Sequence, residues 1–272
     1  MNVYLGLKNV IGRSLKIAYA LLTSQYALML EYRAEIVLWA ISGLLPLIML
    51  GVWTNSGVTG SIGFDYETIS RYFISAFLVR QFTAVWVMVT FEEDHIEGKL
   101  SPYLLQPINP FWRYYSSHIA EQISRIPIVV IMMFLLFLFI PNSFWIPSIK
   151  TTISFVFVLF IAFTVRFVMH WMFSMLCFWS ERASALERLL LIPYLFLSGL
   201  VAPLEAYPDN VRSFCMMTPF PYILAFPAKL LSGSDVQIIN NFLILLLWGF
   251  LFAFLGHIFW QKGVYRYSGM GS

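Results

Sequence analysis

The sequence predicts an all-α integral membrane protein, and three observations carry that prediction. Of 272 residues, 60% are hydrophobic and only 11% charged, too little polar surface to cover a soluble globule of this size. The apolar residues gather into runs of about 18, enough to cross a hydrocarbon core of about 30 Å. Between the runs sit short links rich in Pro, Gly and charge, as expected of helices that satisfy their own backbone hydrogen bonds in lipid. The net charge of +3 comes from basic residues scattered singly, so no nucleic-acid groove is indicated. Cys177 and Cys215 are the only cysteines and offer neither a disulfide framework nor a CxxC site.

Residues 5–33 read as a two-faced helix. At about 100° per residue, Leu7, Val10, Ile11, Ile17, Ala18, Leu21, Leu22 and Leu28 share one arc, and Lys8, Asn9, Arg13, Lys16, Thr23, Ser24 and Glu31 the other. That pattern suits a helix lying in the membrane interface. A spanning helix is the alternative, but too many polar residues interrupt it. The apolar stretch at 17–30 lacks a small-x-small cleavage site, so the leading end is expected to be retained.

The first span is expected at 36–53, uncharged, and a loop rich in Gly, Ser and Thr follows. A second span at 72–91 contains Arg80 and Gln81. Next comes the longest polar interruption, the loop 92–116, with Glu92, Glu93, Asp94, Glu97, Lys99 and Arg113. Within it Ile96, Leu100, Tyr103 and Leu104 recur at helical spacing until Pro107 and Pro110 stop the pattern. Two readings stay open: a short surface helix offered to a partner, and a solvated link between spans. A third span follows at 119–140, then a Pro-bounded turn, a fourth at 152–179 containing Arg166 and His170, and a short fifth at 187–203. The segment 204–234 is Pro-rich and partly apolar. Irregular backbone survives at membrane depth only when buried in protein or facing water, so the segment reads as two short re-entrant helices leaning into the outer leaflet. A sixth span at 241–260 ends in a polar tail.

Basic residues orient the chain. With both termini and the 92–116 loop inside, the inner side holds Lys8, Arg13, Lys16, Arg33, Lys99, Arg113, Arg125, Arg182, Arg188, Lys262 and Arg266, against Arg71, Lys150, Arg212 and Lys229 outside. No internal repeat is visible, which argues against a carrier built from duplicated halves.

Arg80 and Arg166 lie deep in spans, where each costs about 2.5–3.5 kcal/mol at a helix centre and so needs protein or water beside it. With Gln81 and His170 they form either a translocation path attracting an anionic or polar head group, or a polar clamp between helices. His257 reads as a helix-packing histidine. The acids of 92–97 with His95 raise the alternative of a membrane-embedded, metal-dependent enzyme. Residues 92–95 are consecutive, however, and cannot all face one centre on a helix, and no HExxH or GxSxG accompanies them. No catalytic residue and no metal ligand is therefore assigned. GxxxxGK[ST] is absent as well, so ATP-driven work would come from another chain.

The order of these elements resembles the membrane subunit of type-2 ABC exporters, the ABC-2-like permeases, over nearly the whole chain. The motif IEGKLSPYLLQPINP is similar to that family's coupling loop, with Gly98, Leu100, Leu104, Leu105, Pro107 and Pro110 at matching positions. In FLSGLVAPLEAYPDNVRSFCMMTPFPYI, Ser198, Gly199, Pro203, Pro208 and Pro219 fall as in the family's turn after the fifth span, and KGVYRYSGMG is a weaker match. The loop is more acidic than the family pattern, and Lys99 stands where many members carry a hydroxyl residue. The resemblance implies a permease of the bacterial plasma (inner) membrane that binds no cofactor itself, with ATP and Mg on separate ABC ATPase subunits. It also implies a second permease subunit, identical or related, contact with membrane lipids, and no nucleic acid. Glu92, Glu93, Asp94, Ile96, Glu97, Gly98, Leu100, Leu104, Leu105 and Pro107 would couple to the ATPase, the helix bearing Lys8, Arg13, Lys16 and Glu31 would be a second lever, and the 198–219 prolines and glycine an outer gate.

Overall fold

A computed structural model describes residues 2–55, 65–180 and 183–267, with residues 2–14, 33 and 55 described by backbone alone. Helices are the only regular elements among them. They are α1 (Asn2–Glu31), α2 (Arg33–Ser42), α3 (Leu45–Asn55), α4 (Tyr66–Phe82), α5 (Val87–Ile96), α6 (Leu100–Leu104), α7 (Pro110–Phe139), α8 (Ile149–Ser174), α9 (Ser184–Leu197), α10 (Asp209–Met216), α11 (Phe220–Ile223), α12 (Ala225–Ser232) and α13 (Ile238–Arg266).

Five helical stretches are long and apolar enough to cross a membrane: Ala34–Thr54, Tyr66–Ile96, Pro110–Phe139, Ile149–Phe178 and Ile238–Arg266. The expected fifth span corresponds to α9. Its 14 residues rise only about 21 Å, short of the hydrocarbon core, before the chain turns at Ser198 and Gly199. The third stretch begins well before residue 119, because Asn109 caps Phe111 N–H at 2.9 Å and Pro110 takes the first helical position, where its missing N–H costs nothing. Asp65 and Ser148 cap α4 and α8 in the same way, accepting from Thr68 and Thr151 N–H at 3.1 Å.

Two of the five stretches are broken. Between α2 and α3, Gly43 lies so close to the Gln81 amide that no Cβ fits there, and Pro46 withholds the N–H that would continue the ladder. Between α4 and α5 the break covers residues 83–86 and contains neither Pro nor Gly.

The core is one large cluster around α4, α8, α12 and α13, with an aromatic cluster near α6 and a small one beside the turn after α9. α4 lies between α3 and α12, and α8 runs beside α13 and α5. α13 presents Gly249, Gly256 and Gly263, seven residues apart, to Val165, Met172 and Phe178 of the α8 stretch, so the two helices approach along a glycine seam. Rings of Phe91, Tyr114, Phe167, Trp171 and Phe178 fill the end nearest α6, mostly edge to face. α1 packs along α7, with Leu21, Leu22, Gln25 and Met29 turned inward and Lys16 and Glu31 exposed. Lys8 and Arg13 lie on α1, their side chains outside the described residues, as is all of Arg182.

The segment 204–234, expected as two short outer helices, forms three α-helices and a 3-10 turn: positions 219–228 are buried without interruption, with α12 held between α4 and α8, while α10 exposes Val211, Phe214 and Met216. Packing inside protein satisfies this irregular backbone better than the leaflet would.

Candidate functional site

Arg80, Gln81, Arg166 and His170 divide between two neighbouring structures. Gln81 belongs to a clamp around the α4–α5 break. Its side-chain Nε2 donates to Ala40 carbonyl at 2.8 Å, which ties α4 to the end of α2. Its own carbonyl, freed by the break, accepts from Arg125 Nη1 of α7 at 2.8 Å. Arg125 is 2% exposed and ion-pairs with Glu121 one turn earlier, and the same Glu121 oxygen accepts Trp86 indole N–H at 3.2 Å. His118, a further turn back, accepts Trp86 backbone N–H on Nε2 at 3.0 Å, which leaves Nδ1 as the donor to Tyr114 carbonyl at 2.8 Å. A row of side chains on α7 thus satisfies the backbone groups that the break releases. Sequence reasoning missed this row. The available signal was the Glu121–Arg125 spacing of four, one helical turn, just ahead of a long apolar run.

Arg80, Arg166 and His170 line a cavity of about 390 Å³ between α4, α5, α8 and α9. Tyr194 of α9 forms part of its wall, with the Arg166 guanidinium 4.0 Å and the Arg80 guanidinium 5.4 Å from its ring centroid. Glu187 and Arg188 of α9 also face it, and Trp39, Trp86, Leu190 and Leu191 supply apolar wall. Gln81 thus belongs to an interhelical clamp and Arg80, the residue before it, to the cavity wall. Arg80 lies in the last turn of α4, near the middle of the broken Tyr66–Ile96 stretch, and Arg166 about two-thirds of the way along α8, about 21 and 26 Å from the respective first residues.

The 92–116 loop is neither a single amphipathic helix nor an open link. Glu92 to Ile96 complete α5, and Gly98 then takes φ +74°, a left-handed conformation that bends the chain into α6. Of the predicted apolar anchors, Leu100 is fully buried against the aromatic cluster and Leu104 half-buried, because α6 folds back onto the body rather than away from it. Ile96 at 48% and Leu105 at 88% exposure face outward, with Pro107. The acids divide likewise. Glu92 accepts Ser184 backbone N–H at 2.5 Å and hydroxyl at 2.9 Å, at the start of α9, where a carboxylate also meets the positive end of the helix dipole. Asp94 accepts Tyr114 hydroxyl at 2.7 Å. Glu93 and Glu97 remain exposed, and Glu97 pairs with Lys99, holding that ammonium above the ordinary lysine value. Among the described residues no group of His, Cys, Asp and Glu could hold a metal ion, so the metal-enzyme alternative has no centre to build on.

At the other end Gly199 has φ +88° and its carbonyl accepts Tyr72 hydroxyl at 2.7 Å, while Val201 carbonyl accepts Trp53 indole N–H at 3.0 Å. Ser198 and Pro203 are buried beside it, Pro219 is buried before α11, and Pro208 is exposed at the head of α10. Glu205 pairs with Lys229, which joins this turn to α12.

Comparison with known proteins gives one result. A family model described as ABC-2 family transporter protein matches residues 16–271, nearly the whole chain. No curated protein matches, and neither does any solved structure.

Proposed function

The chain belongs to the ABC-2 family of transporter proteins, a multi-pass permease subunit, and from that premise we propose that it serves an ATP-driven exporter powered by separate ATPase subunits. The observation that carries this reading is the hydrogen-bonded link from Glu92 to Ser184. It joins the polar loop to the helix bearing Glu187, Arg188 and Tyr194 on the cavity wall.

The ATPase docks on the exposed face of the loop, where Ile96, Leu105 and Pro107 are apolar contacts and Glu93 and Glu97 set partner choice. Leu100 and Leu104 root the loop in the body, so a push on α6 moves the α5 end and, through Glu92, the start of α9. α1 gives a second input, because it rides on α7, whose side chains hold the α4–α5 break. Two such subunits, identical or related, assemble over two ATPases that carry ATP and Mg. Both termini and the loop face the cytoplasm of a bacterial inner membrane. Ser198, Gly199, Pro203, Pro208 and Pro219 shape the outer gate. Alternating access follows if two arrangements of the spans differ by a few kcal/mol, a gap that ATP binding can reverse.

The test is the ATPase activity of the cassette protein encoded beside this chain, measured with and without it in nanodiscs. Wild type should dock and stimulate. Leu105→Asp should lose docking, whereas Glu92→Gln, which keeps the loop's outer face, should dock and stimulate several-fold less. Stimulation unchanged in both variants would overturn the coupling path.

A further inference from the structure

Arg80, Arg166 and Arg188 face one cavity that holds a single carboxylate, Glu187. Among the described residues, none of these guanidinium groups has a carboxylate within 4.0 Å, and Glu187 Oε2 is itself buried without a hydrogen-bond partner. Three cations against one anion leave two positive charges in excess; Arg188 is exposed and Arg80 half-buried, and Arg166 is buried. A buried charge is costly unless paired and hydrogen-bonded, so the cavity suits a guest that brings negative charge to Arg166.

The donors are arranged to receive it. Arg166 is 5% exposed, with its guanidinium carbon 4.0 Å over the centre of the Tyr194 ring, and its Nε and Nη1 are both buried and make no hydrogen bond. Each of these, taken with Nη2 between them, makes a forked edge of the guanidinium that can take two oxygens of a carboxylate or phosphate. His170 Nδ1, one turn along α8, is also buried without a partner. The walls are apolar: Trp39 and Leu191, at 42% and 43% exposure, continue the cavity to the outer face of the helices, where a hydrocarbon chain can lie.

We propose that this cavity binds the oxyanion headgroup, phosphate or carboxylate, of an amphiphile, with the Arg166 fork as principal contact and Arg80 and Arg188 beside it. The proposal rests on the permease reading and names the chemical class of its cargo.

The test is equilibrium binding of tritiated dioctanoyl phosphatidic acid to the full chain in dodecyl maltoside, read by scintillation proximity, with no ATPase present. Saturable binding is expected, weakened about tenfold by Arg166→Gln and less by Arg166→Lys, which keeps the charge but not the fork. Arg80→Gln and the exposed Arg188→Gln should each weaken it about threefold, and they keep the test open should Arg166→Gln fail to fold. Unlabelled dioctanoyl phosphatidylcholine should compete poorly. Inorganic phosphate separates the two sources of the anion: weak competition supports an amphiphile, and competition equal to that of phosphatidic acid overturns it in favour of a free anion. Absence of saturable binding, or equal binding by wild type and all three glutamine variants, overturns the site. No binding with ATPase stimulation intact removes the cargo class and leaves the permease; binding without stimulation does the reverse.

Discussion

Replacing Arg125 with Met tests how the broken α4–α5 stretch is held together. The guanidinium meets both Gln81 carbonyl and Glu121, and Glu121 also receives the Trp86 indole. A hydrogen bond from a charged donor is worth about 1.5–3 kcal/mol, so losing the carbonyl contact alone would be the smaller effect. Breaking a buried ion pair from one side costs about 3–5 kcal/mol, because the remaining charge is stranded. With Arg125 only 2% exposed, the second quantity dominates, and a loss of about 4 kcal/mol is expected. Unfolding in mixed micelles titrated with dodecyl sulfate returns this free energy. Glu121→Met should lose a comparable amount, and the double variant should lose less than either single one, since it leaves no stranded charge. Should Arg125→Met lose under about 1 kcal/mol, or the double variant lose the sum of the singles, the ion pair would not be what holds the break.

Three further outcomes follow from the packing. Gly263→Ala places a methyl into the Phe178 ring and should cost about 1–3 kcal/mol, whereas Gly51→Ala, which meets nothing within 4 Å, should be neutral or stabilise by up to about 1 kcal/mol; dodecyl sulfate titration compares the two. Tyr72→Phe removes one bond to the Gly199 carbonyl and should cost about 1 kcal/mol, while Gly199→Ala, crowding that hydroxyl at 2.5 Å and straining φ +88°, should cost about 2 kcal/mol or more in thermal unfolding. Asp65, held below the ordinary value of 3.8 by its bonds to Thr68, steadies the α4 start above that pH and loses the effect as pH falls through its lower folded value. Hydrogen exchange at Thr68 N–H should therefore match between wild type and Asp65→Ala only in strong acid.

The apolar runs made the long helices legible in the sequence, because a span must be apolar over its whole length whatever its neighbours are. The break at 83–86 carried no such signature. No Pro or Gly marks it, and the groups that stabilise it, His118, Glu121 and Arg125, lie some thirty to forty residues onward. Helical spacing brought Ile96, Leu100 and Leu104 together but could not tell which side of that pattern would face protein, and Leu100 turned inward. Arg80 and Gln81 were grouped with Arg166 and His170 as one path or clamp, yet adjacent residues on a helix point about 100° apart, so each meets a different neighbour. The acidic loop misled for the same reason: Glu92 and Asp94 turn to separate helices and only Glu93 and Glu97 stay outside. Tyr194, on the cavity wall, sits in a helix too short to announce a membrane element.

The glycine seam between α8 and α13 bears on how the protein is made. Val165 and Met172 sit in the seam on either side of Arg166 and His170, so the matching of the two helices sets the depth of those side chains. A slip of one seven-residue repeat would shift Arg166 about 10.5 Å along the helix axis. α13 leaves the ribosome roughly sixty residues after the α8 stretch ends, at about 5–20 residues per second. For those seconds α8 lacks the glycine face of α13, so the matching that sets the level of Arg166 is complete only once the last helix has arrived.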